Sequence, residues 1–430
     1  MNFSSPLPAA ERWRHIMRFC PGEGRVLAWS FVYVFVLFVA YYVMRPIRDE
    51  LGVAGGIGNL PWLFTGTLLA MLAANPLFSM LVKRWPRRKF VTVAYRFFTL
   101  NLLLFAAALA LTDDVQQQWA GRVFFIWLSV FNLFVVSVFW SLMVDVFDSE
   151  QSKRLFGLLA AGATLGGLAG SALTANLIAP LGPVGLLLLA AVLLETAVFA
   201  AKKLLQQHTR TAPQAEEIIG GSVFAGIAHT FRSPYLLAIS AFILLYSITS
   251  TLLYFQQAEI AGAYFSDRAA RTAFFAHIDL WVNGLTLLCQ LFLTGRMVRR
   301  LGMVVVLCVL PALSTAGFAM LAAAPSIGVF VAVQVARRVS NFAFARPARE
   351  MLFTRLPRED RYKAKNFIDT VVYRSGDQVG SWGYAGLGAL GMAIPAIALL
   401  AVPVCALWMG LSVWLGRQQN RQPSETPPHS

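Results

Sequence analysis

Residues 26–44 read VLAWSFVYVFVLFVAYYVM, an uncharged run held between Arg25 and Arg45. At about 1.5 Å per helical residue, a run of this length crosses the roughly 30 Å hydrocarbon layer of a bilayer. Arg12, Arg14, Arg18 and Arg25 precede it, and it continues without a credible cleavage site. It therefore reads as a retained span and not as a secretory signal.

Working outward, eleven further stretches repeat the pattern, at 61–82, 90–111, 123–144, 155–179, 183–201, 235–256, 274–295, 302–324, 326–345, 367–389 and 394–415. The stretches at 274–295, 326–345 and 367–389 are interrupted by Asp279, Arg337, Arg338, Arg374 and Asp377. One long connection, 202–234, opens with KKLLQQHTRTAPQAEE and continues as an expected surface helix near 218–231. The predicted architecture is an all-α membrane protein of twelve transmembrane helices in two pseudo-repeated six-helix halves. Its parts are an N-terminal segment 1–25, halves 26–201 and 235–415 around the central loop 202–234, and a tail 416–430.

Composition agrees. Of the 430 residues, 57% are apolar and 13% charged, against about 45–50% and about 25% in soluble proteins. The formal charge of +15 comes from 36 basic and 21 acidic residues. With the N-terminus inside, 27 basic residues fall on the cytoplasmic face, five on the opposite face and four within spans. That asymmetry places both termini in the cytoplasm. It also explains most of the charge through topology and anionic lipid headgroups, so nucleic acid is not an expected partner.

Reading for chemistry finds little. Cys289, Cys308 and Cys405 lie in apolar runs, and the five His show no ligand spacing. Phosphate-loop, dinucleotide and nucleophile-elbow patterns are missing. No enzyme, cofactor or metal is expected, and work done by this chain draws on an ion or counter-substrate gradient.

Charges at membrane depth cost several kcal/mol unless paired or hydrated. Helical spacing collects them on single faces: Asp279, Asn283, Thr286 and Gln290; Gln334, Arg337, Arg338 and Asn341; Thr370, Arg374, Asp377, Gln378 and Ser381. Tyr41, Arg45 and Arg48 share a face near the end of the first span, and Ser141, Asp145 and Asp148 share one at the end of the fourth. These stripes predict walls of a water-filled cavity. Plainer readings stand beside it. Arg45 and Arg48 can snorkel to headgroups. Asp145 and Asp148 can pair with Lys153 or Arg154, Glu195 can serve helix packing, and Arg374 with Asp377 can form an internal i, i+3 pair. Arg337 and Arg338, adjacent in mid-span, point in different directions, and only one can easily use a nearby carboxylate. Gly162, Gly166 and Gly170, like Gly376 and Gly380, mark close helix contacts. Trp62 and Trp119 read as interfacial belt residues.

Two loops repeat at an offset of 216: Ser79-x-x-x-Lys83-Arg84-Trp85-Pro86 and Gly295-x-x-x-Arg299-Arg300-Leu301-Gly302. With twelve spans and a central cytoplasmic loop, the plan resembles the major facilitator architecture, although Lys83 and Arg299 stand where that pattern has an acidic residue. Further motifs are narrower. Phe139-Trp140-Ser141-Leu142-Met143-Val144-Asp145, then Ser152-Lys153-Arg154-Leu155-Phe156-Gly157, resemble the nucleotide translocase (ATP:ADP antiporter) family. Arg48-Asp49-Glu50-Leu51-Gly52-Val53 is similar to that family's lysine-aspartate motif in the first span, with Arg replacing Lys. Lys363-Ala364-Lys365-Asn366-Phe367-Ile368-Asp369, leading to Arg374-Ser375-Gly376, is similar to its approach to the eleventh span. Asp377 departs from it, standing where the family has a lysine.

The resemblance implies nucleotide exchange in a bacterial inner membrane, with phosphates held by Arg48, Arg374 and Arg337 or Arg338. Candidate substrate-binding residues are Arg45, Arg48, Arg337, Arg338, Asn341, Arg374 and Gln378. Candidate coupling or gating residues are Asp49, Asp145, Asp279 and Asp377. The leading expectation is a monomeric secondary transporter using alternating access on an organic anion, a nucleotide or other phosphorylated metabolite. Proton-coupled efflux of amphipathic compounds through Asp279 or Asp377 is the alternative, and a non-transporting scaffold for a partner protein is a third. Partners are membrane lipids and the small-molecule substrate.

Overall fold

The structure is a computed structural model, and it describes residues 23–84, 87–208, 230–231, 233–353, 364–365 and 367–421. Most of the N-terminal segment, the expected surface helix up to residue 229, Trp85, Pro86, Lys363, Asn366 and the tail beyond 421 lie outside the described residues. Among those residues every regular element is helical, as expected where backbone groups must be satisfied without water.

The first group of helices is α1 (Glu23–Ala54), α2 (Leu60–Arg84), α3 (Arg87–Leu111), α4 (Asp114–Val146) and α5 (Ser149–His208). The second is α6 (Pro234–Tyr264), α7 (Arg268–Cys289), α8 (Gly295–Ala323), α9 (Ile327–Ser340), α10 (Arg346–Phe353), α11 (Tyr373–Ala389) and α12 (Ile394–Arg421). Side-chain oxygens of Asp113, Ser233, Asp267 and Ser326 cap the first turns of α4, α6, α7 and α9. Three π turns interrupt the second group, at Gln290–Thr294, Asn341–Ala345 and Ile368–Val372.

Ten stretches among the described residues are long and apolar enough to cross a membrane. One of them, Arg154–Gln206, contains 53 residues, about 80 Å if straight and far beyond a bilayer. It is not straight. Gly182, between Pro180 and Pro183, adopts φ 63° and ψ −179° and breaks the helix. Before the break, Gly162 lies against Phe31 of α1; after it, Phe199 packs edge-on to Trp29 of α1 at 5.7 Å. Both limbs of α5 thus reach the same end of α1, so the chain reverses at Gly182. Helix α11, with 17 residues rich in Gly and polar side chains, is not among these stretches.

Small residues set the closest packing. A Cβ on Gly166 would lie 2.4 Å from the Phe35 carbonyl oxygen, and one on Gly170 2.5 Å from that of Val39. α5 therefore rests on α1 backbone to backbone. Gly376 and Gly380 bring α11 close to α6, where an added Cβ would lie 2.6 and 2.8 Å from the Cβ atoms of Ser247 and Thr251 and 3.0 Å from the carbonyl oxygens of Leu244 and Ile248. One buried cluster draws only on residues 27–204 and a second only on 235–415. A third joins Val53, Leu60, Leu63 and Phe125 to residues from 252 to 405.

Candidate functional site

The site is a cavity of about 270 Å³ bounded by α1, α2, α4, α6, α9 and α11, with Phe342 of the Asn341–Ala345 π turn at its edge. Its charged lining is Arg45, Arg48, Asp49, Arg338, Arg374 and Asp377. Helix α6 supplies Tyr246, Ser250, Thr251, Tyr254 and Gln257.

Each carboxylate at the site holds a guanidinium in place. Asp49 accepts from Nε and Nη2 of Arg48 at 3.0 and 2.7 Å, and from the Tyr254 hydroxyl at 3.1 Å. Asp377 Oδ2 accepts from Arg374 Nη1 at 2.9 Å, while its Oδ1 accepts from Ser247 and Thr251 hydroxyls at 2.6 and 3.1 Å. The i, i+3 pair of α11 is therefore formed. Asp279 does not line the cavity. It stands behind it, with Oδ1 3.4 Å from Nη1 of Arg45 and 2.6 Å from Nη2 of Arg338. One buried carboxylate thereby ties α1 to α7 and α9.

Arg337 is arranged differently. It is 2% exposed, outside the cavity lining, and no carboxylate among the described residues pairs with it. Its Nε donates to Ser314 at 3.0 Å, Nη1 to Ser250 at 3.0 Å, and Nη2 to Thr249 at 2.6 Å and to the Tyr246 carbonyl at 3.3 Å. Hydrogen bonds to a charged group contribute about 1.5–3 kcal/mol each. Four of them offset the several kcal/mol that burying the ion costs. Adjacent residues on a helix diverge by about 100°, which is why Arg338 meets Asp279 and Arg337 meets only neutral oxygens.

Other expected site residues fall elsewhere. Gln378 accepts from the Thr65 hydroxyl at 2.8 Å and is not in the lining. Asn341 is half-buried at the first position of a π turn and is not in the lining either. Asp145 is exposed in the last turn of α4. Asp279, Asn283 and Thr286 of the α7 stripe are buried and are not in the cavity lining, with Asn283 at Gly167 of α5 and Asp279 reaching Arg45, while Gln290 is exposed in the π turn that follows. Arg96 and Glu195 pair across α3 and α5 at 3.7 Å, with half-exposed side chains.

At one end of the cavity the first group of helices is fastened to the second. Glu50, 3% exposed, receives Arg268 and Arg271, both at 3.1 Å, from the start of α7. Trp62 and Trp382 meet edge-to-face at 4.8 Å, and Trp382 Nε1 donates to Thr65 at 3.1 Å. Phe64 packs on Tyr254 and Phe255 at 5.5 and 5.7 Å. Trp62 thus takes part in this contact while its side chain stays largely exposed.

An interior polar cavity between two groups of apolar helices has a counterpart in known families. The sequence profile of the Major Facilitator Superfamily matches residues 26–376. The chain belongs to this superfamily. It is 21% identical over 342 residues to ADP,ATP carrier protein 1 of Chlamydia pneumoniae, covering 69% of this chain. A similar relative, ADP,ATP carrier protein 1 of Chlamydia trachomatis, is 22% identical over 338 residues and 68% of this chain. The chain spans 66% and 64% of the lengths of these two relatives. Among solved structures, a bacterial homolog of the human lysosomal transporter Spinster superposes with a TM-score of 0.62 at 13% identity, covering 94% of this chain and all of that one. The nucleoside transporter NupG (D323A mutant) gives 0.61 at 13%, over 92% of this chain and 99% of that one. The POT family transporter PepTSo gives 0.66 at 12%, over 93% and 99%. These likenesses establish a multi-span transporter fold.

Proposed function

We propose that this membrane transporter is a secondary carrier of an organic anion, a nucleotide or other phosphorylated metabolite, moved by alternating access. The observation that carries the reading is one cavity, at the junction of two helix groups, lined by four guanidiniums. Guanidinium forks match carboxylate and phosphate oxygens bidentately. The likeness to proteins named ADP,ATP carriers supports exchange against a counter-substrate.

Counting the two limbs of α5 and helix α11 separately gives twelve spans, six in 26–201 and six in 235–415. The two buried clusters confined to these ranges support rigid halves. With both termini in the cytoplasm of a bacterial inner membrane, the mouth closed by Glu50 and Trp62 faces away from the cytoplasm, so the cavity is inward-facing. Proton-coupled efflux is the weaker reading, because Asp279 and Asp377 are both already engaged by arginines.

Uptake into proteoliposomes tests the anion reading. Arg45→Gln, Arg338→Gln and Arg374→Gln are each expected to lower uptake at least about tenfold, the scale of one lost charge-assisted contact. Unchanged uptake of every tested anion in all three variants overturns it. Alternating access has its own check. A reducible cross-link between W62C and W382C is expected to stop transport, and reduction to restore it. Transport at the uncross-linked rate by the locked protein would exclude opening at this mouth.

A further inference from the structure

Five guanidiniums and three carboxylates surround the cavity. Arg45, Arg48, Arg338, Arg374, Asp49 and Asp377 line it; Asp279 and Arg337 stand one side chain behind. Two pairs are closed, Arg48 with Asp49 and Arg374 with Asp377. The surplus of two positive charges is localised. Arg45 and Arg338 share the single carboxylate of Asp279, and Arg337 meets no carboxylate among the described residues.

Charges at membrane depth are ordinarily paired, and an unpaired one marks function. Arg337 also has a route to the cavity. Its Nη1 donates to Ser250 Oγ, and Ser250 is part of the lining. A hydroxyl that accepts there keeps its own proton free to donate, so the charge of Arg337 polarises a donor facing the ligand.

Resting on the organic-anion reading above, we infer that the preferred substrate is a small dianion, of the phosphomonoester or dicarboxylate class. Arg337, held one hydroxyl behind the lining at Ser250, supplies by its field one of the two positive charges it balances. A monoanion leaves one charge uncompensated, and a nucleoside triphosphate brings more negative charges than the two to be balanced.

The test is binding to the purified full-length chain at pH 7.5, by calorimetry, with five probes: lactate as monoanion, glycerol 3-phosphate and succinate as dianions, citrate as trianion and ATP as tetra-anion. The dianions are expected to bind on the order of tenfold tighter than lactate or ATP. Arg337→Gln should weaken the dianions on the order of tenfold and lactate only about threefold, narrowing their advantage. Arg337→Lys, which keeps the charge, should retain the order of preference. Ser250→Ala, which removes the donor and preserves the net charge, should weaken every anion and keep the order, and it stands in where the buried arginine cannot be replaced without misfolding. Tightest binding of lactate, citrate or ATP by the wild type overturns the inference while the transport reading survives. An unaltered preference in Arg337→Gln, or a changed order in Ser250→Ala, overturns the role of Arg337. If none of the five anions binds or is transported, both readings fall together.

Discussion

Gly166→Ala is expected to be among the most destabilising single-methyl additions in the chain. The new Cβ would sit 2.4 Å from the Phe35 carbonyl oxygen and 2.9 Å from the Phe38 Cβ. The first neighbour is backbone, which cannot rotate away, so α5 must lift from α1. Overpacking in a filled interior costs about 1–3 kcal/mol, and contact with a main-chain oxygen puts this site at the upper end. Association of helices in lipid depends on close packing, because burial of apolar surface gives little net driving force there. Fluorescence-detected melting in detergent should show a fall of several degrees and a larger aggregated fraction. Gly157→Ala is the control: it lies on the same helix with nothing within 4 Å of its Cβ position, so its melting temperature should hold or rise. Equal melting of the two variants would exclude the close approach of α5 to α1.

Asp279→Asn carries the largest expected effect on transport. The substitution leaves Arg45 and Arg338 facing each other around a neutral amide, with the α1–α7–α9 tie broken. Removing one partner of a buried pair costs about 3–5 kcal/mol. Because the tie joins helices that must move together, the part of that loss that falls on the transport barrier is expected to slow uptake on the order of a hundredfold. Proteoliposome uptake, normalised to correctly folded protein, checks it. Arg45→Gln added to Asp279→Asn returns the local charge to its wild-type value and should recover part of the folded yield, as coupled neighbours do in a double-mutant cycle. Strictly additive losses would show that Asp279 and Arg45 act independently.

Much of the fold is legible because the bilayer imposes a length. Runs such as 26–44 and 394–415 need no tertiary information, and Pro180, Gly182 and Pro183 announce the reversal within α5. The π turns are not legible, since an extra residue in a turn is decided by packing. That is one reason Asn341, in step with Gln334 and Arg338 by spacing, does not follow them to the cavity.

The site divides along the same line. Contacts within one helix, Arg48 with Asp49 and Arg374 with Asp377, follow from spacing. The meeting of Arg45, Asp279 and Arg338 joins three helices, and spacing along any one of them is silent about the others. Helix α6 could have been found. Tyr246, Ser250, Tyr254 and Gln257 follow i, i+4, i+8 and i+11, but with no charge among them the stripe resembles ordinary helix packing.

The pair between Arg96 and Glu195 bears on how the protein is made. Arg96 leaves the ribosome 99 residues before its partner, which at about 5–20 residues per second is a wait of about 5–20 s. During that interval α3 carries an unaccompanied cation, and a lone arginine is poorly tolerated in hydrocarbon. Insertion of α3 is therefore provisional until the second limb of α5 arrives. A nascent chain arrested before Glu195 should show α3 more accessible to aqueous labelling than one arrested after it.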